Sequence, residues 1–517
     1  MNTKMSDFEV RPSSYWIATA ARTDYPSLEE NVDVDVAIVG GGIVGITTAY
    51  LLKKAGRKVA VIEADRILNG TTGHTTAKIT SQHALIYAKL KKDMGDELAR
   101  QYAEANESAI HMVASLVKDN NIDCDFKWQP AYIYTRAAKY IREIEEETRA
   151  AASLGIKAEY LDKVPLPFSV EAAVRFDDQA QFHPLKFLQS LAQIIPGDGS
   201  HIFENSPAID IEKDPAQVVT RSGNKVRAEK VIIATHYPFF DGGGLYFSRI
   251  YTDRSYILAV KIQEQFPEGM YINAEDPNRS LRSLSGPEGD LVLVVGEKHK
   301  TGDGDNLNQH YQNLLDYAHS TFNVSEVKYR WSTQDCMTLD GIPYVGNLTP
   351  RNPDFYVATG FGKWGMSNGI ASSMILSDLI VKGDNPWAPV YNPSRFNLGS
   401  LKSFAVQNLD VAKELIVGKI EKYPDDVEVA RGEARVISRN GQRCGAYRDE
   451  EDRMYYVDTT CTHLGCELMW NDAERTWDCP CHGSRFSYTG ESIEGPAFNQ
   501  LCPPRECTNQ VEARVFK

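Results

Sequence analysis

Residues 34–39 form an apolar, β-branched run, the pattern of a buried strand. A glycine-rich turn at 40–45 follows, then apolar residues at helical spacing to about Ala55. A second apolar run at 59–62 predicts a second strand, ending at Glu63. Two later segments, 96–117 and 137–154, carry apolar residues at helical spacing or many Glu and Arg, and are read as packed or solvated helices. A strand is expected at 231–234, and another near 355–359 with a helix after it. Pro386, Pro389 and Pro393 then change the character of the chain. Residues 401–420 alternate apolar and charged positions at roughly helical spacing, which reads as a linker helix. Beyond 427 the runs are short and alternating, with Asn440-Gly441 as a hairpin turn, so a small all-β domain is expected. The first 30 residues are polar apart from an aromatic knot at Tyr15 and Trp16, and read as an arm.

The strand, glycine turn, helix and second strand at the start have a chemical meaning together. Gly40-Gly41-Gly42-Ile43-Val44-Gly45 has the G-x-G-x-x-G spacing in the setting that gives it weight. Gly40 allows a tight turn, Gly42 lets a pyrophosphate approach the backbone, and Gly45 lets helix and strand pack closely. The helix start offers unpaired N–H groups to phosphate, and Glu63 is placed to accept hydrogen bonds from a ribose. This motif alone does not separate NAD from FAD.

The second constellation is C-T-H-L-G-C from Cys461, followed by C-P-C-H-G-S from Cys479. Each half supplies Cys and His on a loop. Zinc sites also mix these ligands, usually as Cys-x₂₋₄-Cys with His-x₃₋₅-His, and a zinc knuckle is the alternative reading. The even division suits a 2Fe–2S cluster in which one iron takes two thiolates and the other two imidazoles.

The two halves of the chain each resemble a known family. The loop N-G-T-T-G-H-T-T-A-K-I-T after Glu63, the A-T-H after the strand at 231–234, Asp340-Gly341-Ile342-Pro343 and F-Y-V-A-T-G-F-G-K-W-G-M-S from Phe355 resemble the D-amino-acid oxidase and sarcosine oxidase superfamily. The resemblance covers about residues 13–385. It implies FAD and an α/β fold: a split FAD-binding Rossmann-like domain with an inserted mixed-sheet substrate part at about 124–180 and 245–335. Gly40, Gly42, Gly45, Glu63, Thr72, Thr235, Gly360, Gly362 and Gly365 are the implied cofactor contacts. Sarcosine oxidases read G-F-S-G-H-G-F-K where this chain has Lys363 at the second Gly and Ser367 at the final Lys. Lys363 thus becomes a candidate substrate or flavin contact. His74 is a second candidate, since related dehydrogenases carry a flavin-linked His in G-S-T-W-H, similar to Gly70–His74 here. Arg249, Tyr251, Arg254 and Arg282 fall in the expected substrate sheet and are candidates to line the pocket, while His83, His111, His183, His201, His236, His299, His310 and His319 read as structural.

Residues 427–517 resemble Rieske domains of the respiratory type. That resemblance implies Cys461, His463, Cys479 and His482 as cluster ligands and a Cys466–Cys481 disulfide. Ser484 is expected to donate a hydrogen bond toward the cluster, Gly495-Pro496-Ala497 to form a proline loop over it, and Phe486 stands where respiratory members have Tyr. The expected organisation is an arm at 1–32, an oxidoreductase domain at 33–385, a linker at 386–426 and the Rieske domain at 427–517.

Charge and composition narrow the partners. Net charge is −14 with no basic tract, which argues against nucleic acid. No apolar run nears the ~20 residues of a membrane span. With no secretory leader legible, a cytoplasmic location is expected. Six of the nine cysteines lie in the last 60 residues. There is no two-His-one-carboxylate spacing for an oxygenase iron and no second dinucleotide motif. The resulting expectation is an FAD- and Rieske-dependent dehydrogenase acting on an amine or amino-acid-like C–N bond, with an unknown electron acceptor. The alternatives are a flavin reductase or hydroxylase fed by the cluster, and an electron-transfer or redox-sensing protein without its own substrate.

Overall fold

The computed structural model describes residues 12–286, 289–395, 408–409, 427–439 and 441–503. It separates into two compact units. The first takes in Met1–Gly244, Ser255–Lys298 and His310–Phe396; the second takes in Leu245–Arg254, His299–Gln309 and Asn397–Lys517.

The first unit is built on a largely parallel sheet. Strand Val32–Val39 lies between Lys225–Ile233 and Val59–Ile62, parallel to both, with Phe355–Thr359 and His201–Phe203 extending the sheet on either side. Strands covered on both faces need continuous apolar sequence, and Val59 to Ile62 are fully buried. Strand Lys225–Ile233 starts earlier than the apolar run at 231–234 suggests. Its first half alternates polar and apolar residues and pairs antiparallel with Ala216–Thr220. Helices Ile43–Lys54 and Gly365–Val381 pack together; a Cβ at Gly369 would stand 2.9 Å from Ile43 Cγ2, so the small residue sets their approach. The helix expected over 96–117 runs Asp96–Asp119. The one expected over 137–154 is a 3₁₀ turn, Ala138–Tyr140, leading into helix Ile141–Ser153.

A second, mixed sheet has the order Val324–Thr338, Ile250–Ile262, Leu291–Lys300, Arg279–Leu284, Met270–Asn273, Lys127–Thr135, Ala172–Gln181 and Lys78–Ile79, with Ala158–Leu161 joined to Ala172–Gln181. Its Lys78–Ile79 edge lies outside the segments 124–180 and 245–335, and strands Ala172–Gln181 and Val324–Thr338 run one and three residues past their ends. The aromatic knot lies on helix Tyr15–Thr19 and is buried. Trp16 Nε1–H donates to the Thr75 carbonyl at 2.6 Å, pinning the arm to the loop that follows Glu63. Among the described residues no helix is long and apolar enough to cross a membrane.

In the second unit, strands Ala434–Arg439, Gln442–Arg448 and Met454–Val457 form one antiparallel sheet, and Met469–Asn471, Thr476–Asp478, Arg485–Ser487 and Ser492–Glu494 form another. Trp477, Phe486 and Leu468 fill the core beside the cysteines. Gly441, at φ +75°, lies in the turn between the first two strands. Asn440 is outside the described residues, as is the linker helix read over 401–420 apart from Asn408 and Leu409.

Candidate flavin and cluster sites

Where strand Val32–Val39 ends, Gly40 takes φ +106°, and a Cβ there would stand 2.5 Å from the Ala234 carbonyl oxygen. A Cβ on Gly45 would stand 1.9 Å from the Gly40 carbonyl oxygen. Gly42 caps helix Ile43–Lys54 without a side-chain bond. Thr72 Oγ1 accepts the Ile43 N–H at 3.0 Å. Glu63 accepts the Gly41 N–H at 2.7 Å and the Asp65 N–H at 3.1 Å. Burial raises its pKa, against the pull of the Gly41, Asp65 and Ala64 N–H groups. An open helix N-terminus with a carboxylate at the end of the next strand is the donor and acceptor set that a pyrophosphate and a ribose require, so these residues fit FAD. Thr235 Oγ1 donates to the Tyr237 carbonyl beside the same turn. Gly360 and Gly362 have φ +77° and +54°, and Gly365 begins helix Gly365–Val381, which has no side-chain N-cap.

Cationic side chains gather next to these loops. Lys78 Nζ is 2.6 Å from Ser280 Oγ and 5.7 Å from the centre of the Trp364 ring. Its pKa is lowered to about 7 by burial, with Arg282 and Lys363 adding repulsion. Arg282 is almost fully buried, donates to the Ala77 carbonyl at 3.0 Å and stands 5.4 Å over the Trp16 ring. Among the described residues, Lys78 and Arg282 have no carboxylate partner. Lys363 reaches Ser255 Oγ and lies 3.8 Å from Asp335. His83 stacks on Trp364 at 5.0 Å. Its Nδ1 is 2.6 Å from the Tyr102 hydroxyl and its Nε2 is 2.8 Å from both the Thr80 carbonyl and Ser367 Oγ. Burial pushes His83 down to about 3, so the ring is neutral and buttresses Trp364.

Of the four residues read as pocket-lining, Arg282 joins this group, whereas Arg249, Tyr251 and Arg254 belong to the second unit. Arg249 stands over the Tyr246 ring and Arg254 pairs with Glu494. His74 Nδ1 lies 2.9 Å from the Gly70 carbonyl in its own turn, Thr71–His74, and its carbonyl accepts the Trp331 indole N–H. Lys78 was missed because a two-residue edge strand leaves no periodic signal.

In the second unit the two cysteine–histidine loops come together. Cys466 and Cys481 are disulfide-bonded, so although their sulfurs lie with Cys479 within 4.8 Å of one another, they are not available as thiolate ligands. Each loop closes on itself: Cys461 N–H donates to the Cys466 carbonyl and Gly465 N–H to Cys461, while Cys479 N–H donates to Ser484 and Gly483 N–H to Cys479. The Cys461 thiol is held below its ordinary pKa by the facing Cys479 sulfur, helped by the His463 and Leu464 N–H groups and the Ser484 hydroxyl. The His463 and His482 rings stand 5.0 Å apart. Burial lowers His463 to about 4 and His482 to about 3, with His463 and Lys300 adding to the latter, and neutral imidazoles are what a metal needs. His463 Nδ1 is buried with no partner among the described residues. Two thiols, two neutral imidazoles and a disulfide clamp fit a 2Fe–2S cluster held by Cys461, Cys479, His463 and His482. Ser484 Oγ also accepts the Ala497 N–H at 3.0 Å, tying the proline loop to the cluster loop. Phe486 is fully buried and has no hydroxyl to offer the cluster. Fewer hydrogen bonds to sulfur destabilise the reduced cluster, so a redox titration is expected to give roughly −150 to +100 mV, the lower half of the Rieske range, and Phe486→Tyr to raise it.

Comparison with known proteins agrees with both cofactors. The family model "FAD dependent oxidoreductase" (DAO) matches residues 35–379, and the "Rieske [2Fe-2S] domain" model matches residues 421–509. A Bacillus subtilis protein described as a Rieske 2Fe-2S iron-sulfur protein, YhfW, is 44% identical over 95% of this chain and 97% of its own. Gamma-glutamylputrescine oxidoreductase of Escherichia coli is 27% identical over 43% of this chain and 54% of its own. Among solved structures, glycine oxidase from Geobacillus kaustophilus superposes with TM-score 0.60 at 18% identity, covering 71% of this chain and all of that one. L-proline dehydrogenase from P. horikoshii gives TM-score 0.60 at 19% identity over 71% and 98%. At those identities the structures establish the fold alone. The chain belongs to the DAO family of FAD-dependent oxidoreductases and carries, over residues 421–509, a Rieske [2Fe-2S] domain.

Proposed function

We propose that the chain is a dehydrogenase that oxidises the C–N bond of an amine or amino-acid-like substrate bearing a carboxylate, and passes the electrons through its cluster to an external acceptor. The observation that carries this reading is the group of cations beside the flavin-binding loops. Lys78, half-buried, and Arg282, fully buried, have no carboxylate partner among the described residues, and leaving such charges uncompensated is costly. A substrate carboxylate supplies the missing charge. Bound FAD provides a two-electron acceptor, and a Rieske cluster exchanges electrons one at a time. Trp364, held by His83 and 5.7 Å from the Lys78 ammonium, offers an apolar face against which the substrate's carbon skeleton can lie. Ser280 and Ser255 keep the two lysine ammonium groups directed. The gamma-glutamylputrescine oxidoreductase among the similar proteins supports the substrate class.

The test is anaerobic addition of amines and amino acids, with flavin absorbance and the Rieske EPR signal followed together. A carboxylate-bearing amine is expected to bleach the flavin and then to raise the cluster signal. If an external reductant must reduce the cluster before the flavin responds, electrons run the other way and the reading falls.

A further inference from the structure

The second cluster loop, residues 479–484, is bounded by strands Thr476–Asp478 and Arg485–Ser487. Both of its roots carry a buried charge. Asp478 enters the loop and Arg485 leaves it, bonded to each other at 3.1 Å. Two more charges complete the group. Arg485 donates to Glu494 at 3.2 Å, and Arg254 donates to the same Glu494 oxygen at 3.0 Å while its Nε lies 4.0 Å from Asp478. The result is a buried network of two guanidinium groups and two carboxylates. Arg254, wholly buried, is the one member that comes from a different part of the chain.

Other contacts converge on the same loop from residues 245–254 and 299–309. The Phe247 and His482 rings meet edge to face at 6.4 Å. Gly302, at φ +75°, lies so close to the loop that a Cβ there would stand 2.6 Å from Pro480 N and 2.9 Å from the Cys479 carbonyl carbon. Leu307 N–H and Asn308 Nδ2–H both donate to Asp472, in the turn before Thr476–Asp478, at 2.7 Å. The Thr301 N–H donates to the Thr252 carbonyl at 3.1 Å, joining the two segments to each other.

We propose that residues 245–254 and 299–309 are a built-in seat for the second cluster loop, with Arg254 as its positioning residue. Groups that fix the loop carrying the ligands orient those ligands and tune the metal. Arg254 grips both roots of the loop, through Glu494 and Arg485 on one side and Asp478 on the other. The second cluster loop is therefore held within its own unit by segments distant from it in the chain. The proposal rests on the cluster and its loop and holds whichever substrate reduces the flavin.

The test uses the full-length holoprotein reduced chemically with dithionite, so no substrate enters it. Arg254→Met should accelerate hydrogen exchange across 245–254 and 478–485 together, by about tenfold or more, as local opening replaces the locked state. It should also change the g-anisotropy of the Rieske EPR signal and shift the midpoint potential. Arg254→Lys, which keeps charge but loses the planar fork, should fall between it and the parent. Gly302→Ala probes the seat from its other segment and should alter the same EPR signal even if Arg254→Met fails to fold. Unchanged EPR, potential and exchange in the folded variants would overturn the proposal. So would a loss of stability alone, with the parent's EPR signal in every folded molecule.

Discussion

Gly45→Ala should yield a protein without flavin. The added Cβ would stand 1.9 Å from the Gly40 carbonyl oxygen and 3.0 Å from the Gly40 carbonyl carbon. Both are backbone atoms, so no rotamer change relieves the clash. Overpacking where side chains can adjust costs about 1–3 kcal/mol, and a main-chain collision at the mouth of the phosphate site should exceed that. Relief requires helix Ile43–Lys54 to move off strand Val32–Val39, and that motion carries the helix N-terminus away from the pyrophosphate position. The expected readout is less than a tenth of the parent's bound FAD per chain, by absorbance after gel filtration, with a lowered Tm. Gly70→Ala is the control: a Cβ there meets nothing within 4 Å, and its flavin content should match the parent's. If Gly45→Ala keeps stoichiometric FAD, the close approach of helix and strand does not govern the site.

What the sequence disclosed follows from how local each feature is. The first βαβ unit was legible because strand, glycine turn, helix and strand are consecutive and each carries its own pattern. The cluster loops were legible because their ligands lie within 22 residues, from Cys461 to His482. The Cys466–Cys481 bond implied by family resemblance is present. Residues that act through distant packing were not legible. Lys78 sits on a two-residue strand whose partner is about 100 residues away, at Ala180 and Gln181. Arg254 reads in sequence as one of several cations in a substrate strand, and only the fold brings it to Glu494, 240 residues on. His83 looked like any buried histidine until Trp364, Tyr102 and Ser367 were seen around it.

The affinity for a simple carboxylate lacking an amino group should depend on pH through Lys78. The Lys78 ammonium has its pKa lowered to about 7 by burial, then by Arg282 and Lys363. Below about pH 7 it is charged and attracts the anion. Above that pH it loses its proton, and affinity should fall by about tenfold per pH unit until the remaining cations hold the ligand alone. Arg282 is also pressed downward by burial, but a guanidinium keeps its charge across this range, so it contributes at every pH. Lys78→Met should therefore weaken binding below pH 7 and abolish the break, whereas Arg282→Met should weaken binding at all pH values and leave a break in place. Stability of the ligand-free protein has the opposite sign. Between about pH 7 and the ordinary lysine value of 10.5, the unfolded chain holds a proton at this position that the folded chain has released. Folding stability from this group thus rises with pH over that window, and the rise disappears in Lys78→Met. Flavin absorbance changes on titrating the carboxylate measure the first effect, and denaturation at a series of pH values measures the second. A dissociation constant that does not vary between pH 6 and 9 would remove Lys78 from the anion site, while a retained break in Lys78→Met would assign the titration to another group.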